Sequence, residues 1–482
     1  MEILALALYV PLVAFAAVLV WRRPVRALYL FVIGLAVHNF AMALLYDAGV
    51  RGASLTAIAA WKELLLAVAL ASVGLAAARD RGLPFTAGAV DLLALAFGVA
   101  VVLYAVLPQS LLDGDAGASG IAQGARYALT PVAAYLLGRS LRLRAGELER
   151  LIRTAVVTAV TVAAFGVVEV YAVSLDWWRG SGAPGWFRDQ LDLRSRGLSG
   201  LPENFVYNPG DERPLRRLVS TFLSPLATSY MLVVGLLLLA VWPRRRTPWL
   251  LGPAALLFVA LLLTHTRAAL LGLGAGLLVL AVLLRRWWPA LAAAAAIAVS
   301  AAFLAVYTDV GPETRFTRAE LRYQRAQAQR SGDADHGALS PGEPSARSHW
   351  RNLRDGVETV ARHPQGYGLG NAGTPARRSD TPLLAGESTY TELGVETGIL
   401  GALLFLAWNA VLLVELARRP GSAVAAGLAA ALAAVLLIAV QTDVLAVPWL
   451  DYCLWAFAGI AVAPAAVRAS AAAPVAADRV GA

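Results

Sequence analysis

Apolar stretches recur from one end of the chain to the other, and most approach the ~20 residues that an α-helix needs to cross a bilayer. They fall at 3–21, 27–45, 61–78, 89–107, 124–138, 153–173, 221–242, 248–264, 268–284, 289–307, 396–415, 423–441 and 449–467. Polar residues gather in short intervals between them and in two long ones, 174–217 and 308–395. A soluble chain of this length would alternate its pattern over two or three domains. Here residues 1–482 read as a single membrane domain, all-α and polytopic, with 12–13 transmembrane helices. The first run, Ile3 to Trp21, has no basic residue before it and Arg22, Arg23 and Arg26 after it, so it is expected to remain as a first span.

Charge gives the spans a direction. Basic clusters follow alternate spans: Arg22/Arg23/Arg26, Arg79/Arg81, Arg139/Arg142/Arg144, Arg244/Arg245/Arg246, Arg285/Arg286, Arg418/Arg419 and Arg468. The positive-inside rule places these in the cytoplasm, with the N-terminus outside. The interval 174–217, the turn THTR at 264–267 and the long loop 308–395 then share the external face of a multi-pass protein. The 482 residues are 59% hydrophobic with a mean hydropathy of +0.63. All but one of the 41 basic residues are arginine, the exception being Lys62. Orientation accounts for part of the +9 charge, so no nucleic-acid partner is implied. Cys453 is the lone cysteine, which excludes a disulfide framework or a thiolate metal cluster.

The long loop has internal organisation. ETRFTRAELRYQRAQAQR reads as an arginine-rich surface helix, and SGDADHGALSPGEPS as a linker. Asp333, Asp335 and His336 in that linker lack further metal ligands. ARSHWRNLRDGVETVARHP sets Trp350, Leu353, Val357 and Val360 at helical spacing, with Ser345 or Ser348 as N-cap and Pro364 as stop. This predicts a short amphipathic helix lying against the membrane domain. HPQGYGLGNAG spells GxGxxG through Gly368, Gly370 and Gly373, but no strand precedes it, and a turn that brings backbones close is the better reading.

Three short stretches carry chemistry. LLLTHTRAALLG places His265 and Arg267 between two apolar runs, either as a polar hairpin tip or as a site. Arginine near an apolar boundary tends to face a cavity or an anion, and its planar fork suits phosphate. RRLVSTFLSPLA puts Arg217 at the entrance of a span, as an interface anchor or as a second anion ligand. GESTYTELGVETGILG supplies Glu387, Glu392 and Glu396, either as ion-pair partners of the arginines or with one of them as a general base.

The blocks RRLVSTFLSPLATSYML, LLLTHTRAALLG, SHWRNLRDGVETVARHPQGYGLGNAG and ESTYTELGVETGILGALLF, in that order, resemble the O-antigen ligase and polymerase superfamily of bacterial membrane glycosyltransferases. The resemblance implies a metal-independent, cofactor-free enzyme of the bacterial cytoplasmic (inner) membrane, with its active site facing outward. Its partners would be an undecaprenyl diphosphate-linked glycan, an acceptor glycan or lipid, and the surrounding membrane lipids. It further implies that Arg217 and Arg267 hold the diphosphate, with His265 as their neighbour. In ligases of this superfamily a His-Asn pair commonly precedes a tyrosine; Tyr390 matches, but Glu387 and Ser388 stand at the preceding positions. A carboxylate thus replaces the ligase-type histidine as the expected catalytic base, favouring a polymerase or a divergent ligase. A transporter or flippase of lipid-linked sugars is the competing reading. It expects charges deep in the spans and broken helices, of which the sequence offers chiefly Asp91 and Glu169.

Overall fold

The computed structural model describes residues 2–193, 200–208, 214–242, 247–331, 344–419 and 421–463. The DADH segment at 333–336 and the clusters Arg244/Arg245/Arg246 and Arg468 lie outside the described residues.

Each apolar stretch is represented by a helix, as the all-α expectation requires. Helices α1 (Glu2–Arg22), α2 (Val25–Asp47), α3 (Trp61–Arg79), α4 (Ala89–Val106), α5 (Ala118–Ser140) and α6 (Glu147–Ala172) form the first half. The second half comprises α7 (Pro225–Ala240), α8 (Thr247–Leu263), α9 (Arg267–Leu284), α10 (Trp288–Val310), α11 (Arg318–Ser331), α12 (Pro344–Arg362), α13 (Thr389–Ala417), α14 (Ala423–Ile438) and α15 (Trp455–Val462). Eight of the described helices are long and apolar enough to cross a membrane, and four further apolar segments are shorter. Local signals set several starts. Ser224 caps α7 by accepting from the Ala227 amide at 3.3 Å with Pro225 following, and Ser422 caps α14 through the Ala425 amide at 3.2 Å.

Close packing rests on small residues, which let helix backbones approach where lipid offers no hydrophobic drive. A Cβ at Gly272 of α9 would lie 2.8 Å from Ile438 of α14, and one at Gly276 would lie 3.0 Å from the Ala430 carbonyl. Between α4, α5, α13 and α15, the buried rings of Phe97, Tyr135, Phe405, Trp408 and Trp455 interlock. The Trp455 indole there donates to Asn409 Oδ1 at 3.0 Å.

Charges inside the bundle are more numerous than the sequence reading allowed. Arg139, read as a loop cation, is buried and grips Asp91 through Nε and Nη2 at 2.7 and 2.8 Å, with the Tyr135 hydroxyl completing the carboxylate at 2.7 Å. Glu169 is buried against Arg216 and the Trp178 indole. Helix α13 is broken at Thr397 and Gly398, where the backbone leaves helical geometry. The Asp91 and Glu169 groups are buried, paired networks, which fits a scaffold held by polar contacts.

The interval after α6 and the segment after α10 are clasped together. A two-stranded ribbon, Val206–Tyr207 with Leu215–Arg216, is extended by a bridge from Leu215 to Glu313. Arg179 joins Glu320 of α11 at 2.6 Å. The clasp brings the polar segments to the turn between α8 and α9, where the Leu218 amide donates to the Leu263 carbonyl at 2.9 Å.

Candidate functional site

Helix α12 docks on the first turns of α13 through two glycine notches. A Cβ on Gly356 would come within 2.9 Å of Thr391, and one on Gly394 within 2.7 Å of Val360. The apolar stripe expected to face the bundle divides: Leu353 and Val360 are half-buried, whereas Trp350 and Val357 are 71% and 55% exposed. This docking carries His349 to the loop just ahead of α13, and His349 Nδ1 lies 2.7 Å from Glu387 Oε2.

Glu387 occupies an unusual backbone position, with φ +70° in the left-handed region that non-glycine residues rarely adopt. Gly386 before it leaves room for Arg377, whose Nη2 would stand 3.0 Å from a Cβ there. Burial raises the Glu387 carboxyl, but the His349 hydrogen bond and charge, the Asn352 hydrogen bond and the Arg377 charge outweigh it and hold the group below the ordinary glutamate value. His349, Arg377 and Glu387 all line one cavity of about 980 Å³, which continues past Tyr230, Asp443 and Arg126.

A second basic group sits at the α8–α9 turn. Arg217 Nε donates to the Thr264 carbonyl at 2.8 Å and its Nη2 to Thr266 Oγ1 at 3.1 Å, so the guanidinium ties the turn to the preceding loop. His265, at φ +50°, packs against both Tyr207 and Tyr307 in tilted contacts, with ring centroids 4.1 and 4.6 Å away. Burial first, and then the charges of Arg217 and Arg267, keep this imidazole well below its ordinary value and therefore neutral. Burial also lowers Arg217 to about 10; Tyr307 and Tyr230 oppose the shift and Arg267 adds to it. The two arginines thus share one electrostatic neighbourhood. They do not line the large cavity, but Tyr230 borders both, with its hydroxyl donated to Thr442 at 2.8 Å.

Glu392 lines the cavity together with Glu387, whereas Tyr390 and Glu396 hold the packing beside it. Tyr390 donates its hydroxyl to the Leu436 carbonyl at 2.7 Å, its ring lies near Phe405, and it does not line the cavity. Glu396 accepts the Gly370 amide at 2.8 Å and so anchors the glycine-rich turn, where Gly368 and Gly370 adopt φ +94° and +87°. A Cβ at Gly370 would lie 2.5 Å from the Gly120 backbone, which is the close approach that requires glycine there.

Two site residues escaped the sequence reading. His349 shares the docked face of α12 with Leu353, Gly356 and Val360, but no spacing within one element links 349 to 387; Arg377 sits in a five-residue helix whose GTPAR sequence has no periodic signal. The arginine-rich, exposed loop hid both among similar residues.

No curated protein matches the chain. The family model described as O-antigen ligase matches residues 252–406, a segment that contains Arg267, His349, Arg377 and Glu387 and begins after Arg217. Over that segment the resemblance is borne out: the match supports the O-antigen ligase/polymerase superfamily and, in general, glycan transfer of that type.

Proposed function

We propose that the protein transfers a glycan from an undecaprenyl diphosphate carrier to an acceptor at the outer face of the cytoplasmic membrane. The observation that carries this reading is the convergence of Glu387, His349 and Arg377 on one cavity within the matched segment. An acceptor hydroxyl attacks the anomeric carbon, and the bond from that carbon to the diphosphate breaks. Glu387 supplies the negative charge that draws off the hydroxyl proton, directly or through the imidazole it holds, an effect worth roughly 10²–10⁴-fold. Fixed guanidinium groups stabilise charge developing on the departing diphosphate. Arg217 and Arg267 take that role at the α8–α9 turn, since two cations held near each other gain from an anion between them, and Arg377 takes it on the cavity side. His265 keeps the turn rigid against its two tyrosines. Tyr390 supports the wall on which the substrates rest.

Deletion of the gene tests the reading through the lipids that accumulate. Single repeat units on the carrier identify a lost polymerase, and full-length chains on the carrier a lost ligase. Arg217→Ala, Arg267→Ala and Glu387→Gln are each expected to reproduce the deletion phenotype at normal protein levels. Retained product in all three would overturn the assignment.

A further inference from the structure

The short contact between α12 and the loop before α13 is chemically specific. His349 and Glu387 come from segments joined by no common element, both line the cavity, and their side chains meet at 2.7 Å through Nδ1 and Oε2. The carboxylate's charge beside Nδ1 favours the tautomer that carries its proton on Nδ1, which leaves the Nε2 lone pair as a base. Resting on the glycan-transfer reading above, we propose that His349 is the catalytic base and that Glu387 is its positioning residue.

In the step, the acceptor hydroxyl passes its proton to Nε2 of His349 while its oxygen bonds to the anomeric carbon. The carbon–oxygen bond to the carrier diphosphate breaks, and the diphosphate leaves with the electron pair. Glu387 stabilises the imidazolium that results, and the proton then returns to solvent. Arg377 lies near Gly386, and its charge acts on the same carboxylate as the imidazole does. The left-handed backbone at Glu387 aims the carboxylate at the docked helix rather than along α13.

The experiment uses the full-length protein in liposomes with lipid-linked glycan extracted from membranes of the deletion strain. His349→Gly is expected to lose at least 100-fold in kcat with the donor KM within about twofold. Added imidazole should restore part of that loss, because a small free base can enter the vacated space. Glu387→Gln is expected to lower kcat with little change in KM and to show no imidazole rescue. His349→Gln, which keeps a planar polar side chain, guards against misfolding and should be as inactive as the glycine variant. The proposal is overturned if His349→Gln keeps wild-type turnover, or if a folded His349→Gly variant is inactive and imidazole does not restore it. If wild-type protein itself moves no glycan, the functional reading falls; if it does and the His349 variants match it, only the assignment of the base falls.

Discussion

At the scale of single residues, His265 shows how a polar group can be placed in an apolar setting without being a reactive one. Its ring packs against Tyr207 and Tyr307, and the nearby arginines make protonation costly. A base whose folded value is depressed takes up protons only in the unfolded chain as pH falls through the ordinary imidazole range, so stability is full above about 6.5 and declines below it. His265→Phe keeps the ring contacts and removes the titration. Between pH 7.5 and 5.5 it should lose less thermal stability than wild type, by about 1 kcal/mol; parallel losses in the two proteins would contradict the burial argument. The sequence pointed to this turn because two polar residues between apolar runs are conspicuous. It could not separate their roles, which depend on Tyr207 and Tyr307, far from 265 in the chain.

At the scale of elements, α12 is a helix whose position is set by notches rather than by a broad apolar face. Gly356 accommodates Thr391 so closely that a branched side chain cannot fit. Gly356→Val should cost about 1–3 kcal/mol of docking. The expected outcome is faster protease cleavage within 344–362 and a loss of glycan transfer, since His349 moves with the helix, while the melting temperature of the bundle hardly changes. Unchanged cleavage would mean that the helix is held elsewhere. The helix itself was legible, from its periodicity and its Pro364 stop. Its docking face was read too broadly: at 100° per residue, Trp350 and Val357 lie roughly 60° around the helix from Val360 and Leu353, and only the latter side meets α13.

At the scale of the whole molecule, hydrophobic runs located nearly every helix, because a segment that must bury its backbone in hydrocarbon leaves its length in the sequence. The pairing of those helices left no such mark. Arg139 was counted among loop cations, yet the bond that matters is to Asp91 on another helix. The proposed orientation can be tested in a background that needs little preparation, because Cys453 is buried. An impermeant maleimide should modify Trp350→Cys from outside the cell and Arg142→Cys only after the membrane is opened; the reverse pattern would invert the topology. The break at Thr397–Gly398 has a further consequence. After it, residues 399–417 extend for about 28 Å at the helical rise, close to the thickness of a hydrocarbon layer. The part of α13 before it adds about two turns and ends beside Glu387. On the proposed reading, helix α13 would act as a ruler that holds the carboxylate at a fixed height above the lipid. A carrier anchored in the bilayer would then bring its diphosphate to that height however long its glycan had grown, so the protein would gauge the near end of the chain and be indifferent to the far one.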